Sequence, residues 1–337
     1  MQDGILKVSP SRLIESPLAG HIEMQHVIPF NISQNTKRAA LGYQDEPSRA
    51  IGFEYVSTDA ADFGLLDSYT KAGGAYSLRS LSIASKYVVR VCRDSDDAEM
   101  DFTAEGIDDG TLETWVGIGN NGYVSIWYDQ SGQEHHATQT TQSKQPAIVT
   151  SGSLIMANGR PAIQPDGIDD YLDCGGLIVE LSAGDVLLST VHERETAGDG
   201  HMITEADNLG TYSSNFVYES REATEEGLSW VNSDSFGDTV YGSQVIGQIT
   251  EISGTVQAYL NNVSAGSSGT PTVNTEAGTT ILFSRGDGTT AFYGGKVQEI
   301  VSYKTDKSSE RAQITKDQNL YYSAYSGFTS GYSSAFE

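Results

Sequence analysis

The chain has 337 residues, of which 45 are acidic and 20 basic, for a formal net charge of −25. Glycine is abundant at 36 residues, tyrosine reaches 18, and only 38% of residues are hydrophobic, which favours many short strands over long helices. No Lys/Arg cluster exists to neutralise phosphates, so nucleic acid is excluded as a partner, and no polybasic tract would hold the chain on an anionic membrane. No run approaches the ~20 apolar residues of a membrane span.

The first 65 residues hold Pro10, Pro17, Pro29 and Pro47, half of the 8 prolines. Their patterning is weak, with short apolar runs such as that holding Ile28 and Phe30, and they read as an extended arm or small docking segment, or else as a longer N-terminal decoration of the main domain. The amino terminus has no basic region followed by an apolar run, so no signal peptide is expected. From Ala75 the pattern is dense. Ala75–Leu81 reads as a short strand or helix, Lys86–Arg93 as a strand, residues 110–117 as a short helix and Val124–Tyr128 as a strand. Beyond residue 153 strand signals recur every ~8–12 residues, the spacing of a sandwich. They include Tyr171–Asp173, Asp185–Val191, Asn215–Tyr218, Leu228–Val231, Thr239–Tyr241, Gln248–Ile252, Val256–Leu260, Thr279–Phe283 and Lys296–Tyr303. Alternation puts Thr280, Gln298 and Ser302 on the solvent side. A helix is expected from an N-cap at Ser308 to about Tyr325, with Ile314, Leu320 and Tyr321 as its apolar stripe. Residues 327–337 form a Ser/Gly/Tyr-rich tail. Cys92 and Cys174 match no disulfide framework or zinc motif; they are expected to be free and partly buried, with a single bridge as the alternative.

Taken in order, several strings resemble a known family: Gly-Gly-Ala-Tyr-Ser-Leu-Arg at 73–79, Val-Val-Arg-Val-Cys-Arg-Asp-Ser-Asp-Asp-Ala-Glu at 88–99, and Ile-Trp-Tyr-Asp-Gln-Ser-Gly at 126–132. His-Ala-Thr-Gln follows at 136–139, then Gln-Pro-Ala-Ile-Val at 145–149, Asn-Gly-Arg-Pro-Ala-Ile-Gln at 158–164 and Asp-Gly-Ile-Asp-Asp-Tyr-Leu at 166–172. Together they resemble the concanavalin A-like, laminin G-like lectin domain of tailed-phage virion proteins. The front half is also similar to the catalytic sandwich of arabinofuranosidase B enzymes. Pro165 departs from the pattern, where the family usually carries an aromatic residue. The resemblance spans residues 66–326 and implies an all-β, two-sheet antiparallel jelly roll with a C-terminal helix. It further implies a structural protein on the virion surface, as capsid decoration, head fibre or tail component. Other virion proteins and copies of itself, as a trimer, would be its partners, and host glycans its ligands.

Each candidate site has a plainer reading beside it. Adjacent His135 and His136 point to opposite faces of a strand and rarely share a metal; His136 with Asp129 could form a general-base pair, or His136 could simply brace the loop. Trp127 sits inside a strand run and is expected in the core. Glu226, in Glu-Gly-Leu, is reminiscent of the arabinofuranosidase nucleophile region, and a glycosidase needs two such carboxylates. Asp94, Asp96 and Asp97 form one acidic turn, and Asp166, Asp169 and Asp170 another. Neither has the spacing of an EF-hand, but either could hold Ca²⁺; the plain alternative is turn geometry, with Gly167 at positive φ. No cofactor is required by any motif. For sugar binding, Trp230, Tyr212, Tyr218 and Tyr241 are the available aromatic platforms.

Overall fold

The computed structural model describes residues 38–41, 51–54, 64–179, 185–195, 200–207, 216–218, 228–230, 234–236, 242–268, 278–286 and 288–326. The chain divides into two units, Met1–Thr58 and Asp59–Glu337. In the first, β1 (Arg38–Leu41) pairs antiparallel with β2 (Ile51–Glu54). Ile28, Phe30, the strand expected at Thr239–Tyr241 and the tail at 327–337 lie outside the described residues.

The second unit opens with α1 (Leu65–Ser68), β3 (Ala72–Ser77), β4 (Val89–Arg93) and β5 (Glu99–Phe102). Short helices α2 (Ala104–Asp108) and α3 (Thr111–Val116) precede β6 (Gly122–Trp127) and β7 (Ala137–Thr138). Then come β8 (Ala147–Thr150), β9 (Ser153–Leu154), β10 (Met156–Ala157), β11 (Arg160–Pro161) and β12 (Leu172–Asp173). The second half holds β13 (Val186–Arg194), β14 (Ile203–Asp207), β15 (Phe216–Tyr218), β16 (Leu228–Trp230) and β17 (Asp234–Phe236). It ends with β18 (Gln244–Ile252), β19 (Thr255–Leu260), β20 (Val263–Ser268), β21 (Gly278–Leu282), β22 (Gly295–Tyr303) and α4 (Arg311–Tyr322).

Two antiparallel sheets carry the core, as an all-β sandwich requires. The larger runs β15-β14-β21-β12-β7-β6-β4-β5, with β8 joined to β6 and β9 to β8; the smaller runs β20-β19-β18-β13-β22-β3. Between them Val89, Trp127, Leu172, Val186, Leu188, Ile203, Ile249, Leu282, Phe283 and Ile300 form one buried cluster. Trp127 is fully buried, 5.6 Å from the Tyr76 ring and 6.3 Å from Phe283. Both cysteines are buried and free.

The alternation-based expectation for Thr280, Gln298 and Ser302 is overturned: all three are fully buried. Thr280, on the larger sheet, shares its face with the core residue Leu282, and Ser302 pairs with the core residue Leu188, so both point inward; Gln298 lies under the β10–β11 hairpin, and the outer face of the smaller sheet is itself covered, so polarity marks solvent at none of these positions. Helix α4 supplies the cover through Ile314, which packs with Leu187, Val301 and Tyr303, and Tyr322, which packs with Val191 and Ile246. An irregular register opposite Val191/His192 also shifts the phase of β22. Each polar group finds a partner. Thr280 Oγ1 accepts the Ile178 N–H at 3.1 Å, Ser302 Oγ donates to the Ile178 carbonyl at 2.6 Å, and Gln298 Nε2 reaches the carbonyls of Ala157, Arg160 and Pro161.

The helix itself departs from expectation at both ends. It is capped by Glu310 and stops at Tyr322, with Ser323 left-handed at φ 53°. Ser308 lies one turn earlier and donates its N–H to Asp306 Oδ1 at 2.8 Å, so the Asp side chain, not Ser308, organises the entry. Leu320 is 67% exposed, and the buried face reads Ile314, Thr315, Gln318 and Tyr322. That face is half polar because it docks through a buried network. Arg79 donates Nε and Nη2 to the two oxygens of Glu299 at 2.8 and 3.1 Å, and Nη2 also reaches Asp317 at 2.8 Å. Gln318, Tyr322 and Ser77 complete the shell around Glu299. The hairpin β10–β11 closes the far end: Asn158 Nδ2 donates to the carbonyls of Tyr322 and Ser323, and Arg160 Nε to that of Tyr321. These are carbonyls that a helix end leaves unsatisfied.

Removing one partner of a fully buried ion pair costs about 3–5 kcal/mol, whereas replacing both by apolar groups can be neutral. Glu299→Ala is therefore expected to destabilise the second unit by that amount in urea melts, and Arg79→Met/Glu299→Leu to recover most of the loss.

Candidate functional site

The Trp127–Gly132 segment leaves β6 in the larger sheet and runs onto β3, the last strand of the smaller one. Asp129 accepts the N–H of Ala75 at 2.8 Å and of Ser131 at 2.9 Å on Oδ1, and the Ser131 hydroxyl at 2.7 Å and His135 N–H at 3.1 Å on Oδ2. A carboxylate has about four lone-pair sites, and here all are taken. Gln130 continues the strap: its N–H donates to the Ala75 carbonyl, its Oε1 accepts from Leu81 N, and its Nε2 reaches the carbonyls of Ser77 and Arg79. Asp129 is thus a joint between the sheets, its carboxylate oxygens engaged in structural hydrogen bonds.

His136 does not meet the Asp129 carboxylate. Its Nδ1 accepts the Asp129 backbone N–H at 3.1 Å, which places the ring proton on Nε2, and its ring stands edge-on to Tyr128 at 5.0 Å. The general-base pair read from the sequence is not assembled. His135 turns away against Gly176, where an added Cβ would lie 2.5 Å from its ring.

The two acidic turns behave differently. Asp94 is occupied by Asn121, through N–H and Nδ2 at 3.0 and 2.9 Å; Asp96 is held bidentate by Arg93 at 2.6 and 2.7 Å; Asp97 sits at φ 58°. These three carboxylates do not converge. Asp166, Asp169 and Asp170 do, each offering an oxygen within 4.8 Å of the others. Asp166 Oδ1 accepts from Ile168 N and Asp169 N, Asp170 Oδ2 accepts from Asp166 N, and Gly167 takes φ 75°. Burial, and then the neighbouring charges of Asp166 and Asp169, push Asp170 up to about 7. A hard cation would relieve that crowding, though one turn supplies only part of the six to eight oxygens Ca²⁺ takes.

A different set of polar residues lies between the sheets. Along β13, Val186 and Leu188 face the core cluster, and alternation carries Thr190, His192 and Arg194 onto the same face. All three are buried. Thr190 Oγ1 lies 3.1 Å from His192 Nδ1, and burial and the Arg194 charge pull His192 down to about 3, leaving it neutral. On β14, Ile203 faces the core opposite Leu282, and the next cross-strand pair on that face is Glu205 with Thr280. Glu205 is 4% exposed, and nearby His201 is 5% exposed with Nδ1 3.4 Å from Thr204 Oγ1. At the end of β21 the bulky Phe283 is held at φ 74°, a conformation costing about 1–3 kcal/mol that concentrates at working sites. The interior thus turns from apolar to polar along two strands. Sequence reading missed this set because Thr190, His192, Arg194 and Glu205 look like the polar half of an ordinary alternation; the clue was the fully apolar start of β13, which marks a strand covered on both faces.

Glu226, Tyr212 and Tyr241 lie outside the described residues; Tyr218 and Trp230 fall in β15 and β16, but their side chains are likewise outside the description.

No family model matches the chain, and no curated protein does. Solved structures do. The chain is similar to a glycoside hydrolase family 54 α-L-arabinofuranosidase soaked with a cyclic sulfate inhibitor, with TM-score 0.59 and 17% identity over 77% of this chain and 64% of that one. It is similar in the same measure, TM-score 0.58 and 17% identity, to an arabinofuranosidase complexed with arabinofuranosyl-α-1,2-xylobiose. A Trypanosoma rangeli sialidase overlaps at TM-score 0.43 and 10% identity, too slight to define a shared fold. The chain spans 64% of the length of the arabinofuranosidases. At this identity the likeness establishes the class of fold, a β-sandwich of the arabinofuranosidase type.

The Asp170 environment has a pH signature. In the unfolded chain this carboxyl titrates in the ordinary range, whereas the folded state keeps its proton up to about 7. Between those values the folded state binds more protons, so stability falls as pH rises. Asp170→Asn is expected to flatten this slope and to stabilise the protein by on the order of a few kcal/mol above neutral pH. Urea melts at about pH 5 and about pH 8 compare the two.

Proposed function

We propose that the chain is a sugar-recognising β-sandwich displayed on a tailed-phage particle. The observation that carries the sugar reading is the buried polar set Thr190, His192, Arg194 and Glu205 on inward-facing positions. Four polar side chains gathered on inward-facing positions depart from the mostly apolar filling of a sandwich core. Planar and hydroxyl groups gathered inside a fold are what orient a hydroxyl-rich ligand. The sandwich of arabinofuranosidase type supports the same reading, since one such neighbour is complexed with an arabinofuranosyl-xylobiose.

Display on a virion rests on the strings at 73–79, 88–99, 126–132 and 158–172, and on the net charge of −25, which suits a surface that must not associate non-specifically. In this reading residues 1–65 attach the domain to other virion proteins, copies of the chain assemble as a trimer, and the Asp166–Asp170 turn takes Ca²⁺. The sugars are host-surface glycans.

Two experiments test the proposal. The full chain on a glycan array, with and without added Ca²⁺, should give hits that Arg194→Gln loses while its thermal melt stays cooperative; a blank array for the wild type sinks the sugar reading. Release of nitrophenol from 4-nitrophenyl α-L-arabinofuranoside in a parallel assay would instead make the protein a hydrolase, with Glu205 as one of its carboxylates. Separately, a chain lacking residues 1–65 should stay out of assembled particles, and its incorporation would refute the attachment role.

A further inference from the structure

Helix α4 covers the outer face of the smaller sheet, and the outer face of the larger one carries a cluster of its own. On that face three rings meet. Tyr128 follows the buried Trp127 and His136 precedes the buried Ala137, so both point away from the core. The Tyr87 ring lies 6.2 Å from Tyr128, and Tyr128 lies 5.0 Å from His136. All three are half-buried. Next to them Arg90 and Asp101 form a planar bidentate pair, Nε to Oδ1 at 2.7 Å and Nη2 to Oδ2 at 2.9 Å, with side chains 35% and 25% exposed.

We propose that Tyr87, Tyr128, His136 and the Arg90–Asp101 pair form a second, surface subsite for a neutral oligosaccharide. The proposal rests on the sugar reading above and adds a place for it outside the sandwich interior.

The first support is rigidity. Tyr128 donates its hydroxyl to Asp101 Oδ1 at 2.7 Å, and burial followed by that contact pushes the phenol up to about 12, so it stays a donor. His136 is fixed through Nδ1 by the Asp129 N–H. Asp101 is fixed by Arg90. The conformational cost of ordering these side chains is met on folding, which leaves more of the contact energy for a ligand.

The second support is chemical fit. Half-buried aromatic rings offer apolar faces to the C–H side of a sugar ring, and a flat guanidinium–carboxylate pair offers adjacent donors and acceptors to neighbouring hydroxyls. Arg90 uses only Nε and Nη2 on Asp101, and Asp101 Oδ2 accepts only one bond. His136 keeps its proton on Nε2, away from the bond that fixes the ring. The third support is charge. Arg90 and Asp101 neutralise one another, so the pair offers donors and acceptors without a net charge of its own, and the −25 of the whole chain disfavours an anionic polymer over an uncharged one; Lys86, 4.6 Å from the Tyr87 ring centroid, occupies one face of that ring and leaves the other.

The test uses the full chain and three neutral probes: xylotriose, cellotriose and arabinotriose. Titration followed by amide resonances should shift Tyr87, Tyr128 and His136 with at least one probe. Tyr87→Ala and Arg90→Gln should each weaken that binding by about tenfold, with melting temperatures near wild type, because both side chains lie outside the core. Arg90→Lys should fail to restore it, since lysine lacks the planar fork. Unchanged affinity in both variants, with binding lost in Arg194→Gln, overturns the surface subsite and leaves the interior site standing. No binding of any probe by the wild type overturns the subsite together with the sugar reading.

Discussion

The sandwich depends on one residue's backbone being answered from the opposite sheet. Ala75 lies on β3, the terminal strand of the smaller sheet, where N–H and C=O groups face outward without a neighbouring strand. Such an edge invites pairing with another chain. Asp129 takes the N–H of Ala75 and Gln130 gives its own N–H to the carbonyl, so two residues from a loop of the larger sheet replace the missing strand. The Gln130 side chain extends the repair to Ser77, Arg79 and Leu81. This fixes the position of Arg79, and Arg79 in turn fixes Glu299 and the helix that lies on it. Trp127, one turn back, fills the space between the sheets. The strap, the ion pair and the helix are therefore successive links in a single chain of constraint.

Two kinds of buried polarity follow from this arrangement. Under α4 the groups form a connected network: Glu299 meets Arg79, Ser77, Gln318 and Tyr322, while Gln248 meets Ser189, Thr315 and Arg311. Such a network specifies one docking geometry for the helix. The polar set on β13 and β14 lies instead between the sheets. It shares its face with apolar core residues and ends beside the strained backbone of Phe283. The first network explains why the fold is unique; the second distinguishes this interior from that of a plain scaffold.

The fold was largely legible in the sequence because local signals and tertiary structure agree. The apolar run ending at Trp127, the turn that follows it and the closely spaced later strands all describe antiparallel sheets. The reading failed where one face of a strand was covered by an element far away in sequence. Thr280, Gln298 and Ser302 look like solvent positions only if nothing lies over them, and the helix and facing sheet that bury them come from elsewhere in the chain. Leu320 failed for the complementary reason: the helix docks by hydrogen bonds, so its apolar residues need not all face inward. At the site, the clustering of Asp166, Asp169 and Asp170 was visible as spacing. The occupation of Asp129 was not, because three of its partners are backbone N–H groups whose positions no sequence displays.

The hairpin that closes α4 also decides how the molecule bears load. Asn158 and Arg160 grip the last carbonyls of the helix, and Asn319 ties Tyr325 back onto it through two hydrogen bonds. Tension applied at the carboxyl end meets this clamp before it reaches the sheet. The clamp's bonds run to several carbonyls at once, so load on the helix end is divided among them. The end of the helix is in this sense pinned from two sides, by the hairpin on its carbonyls and by the Tyr322 side chain on the sheet.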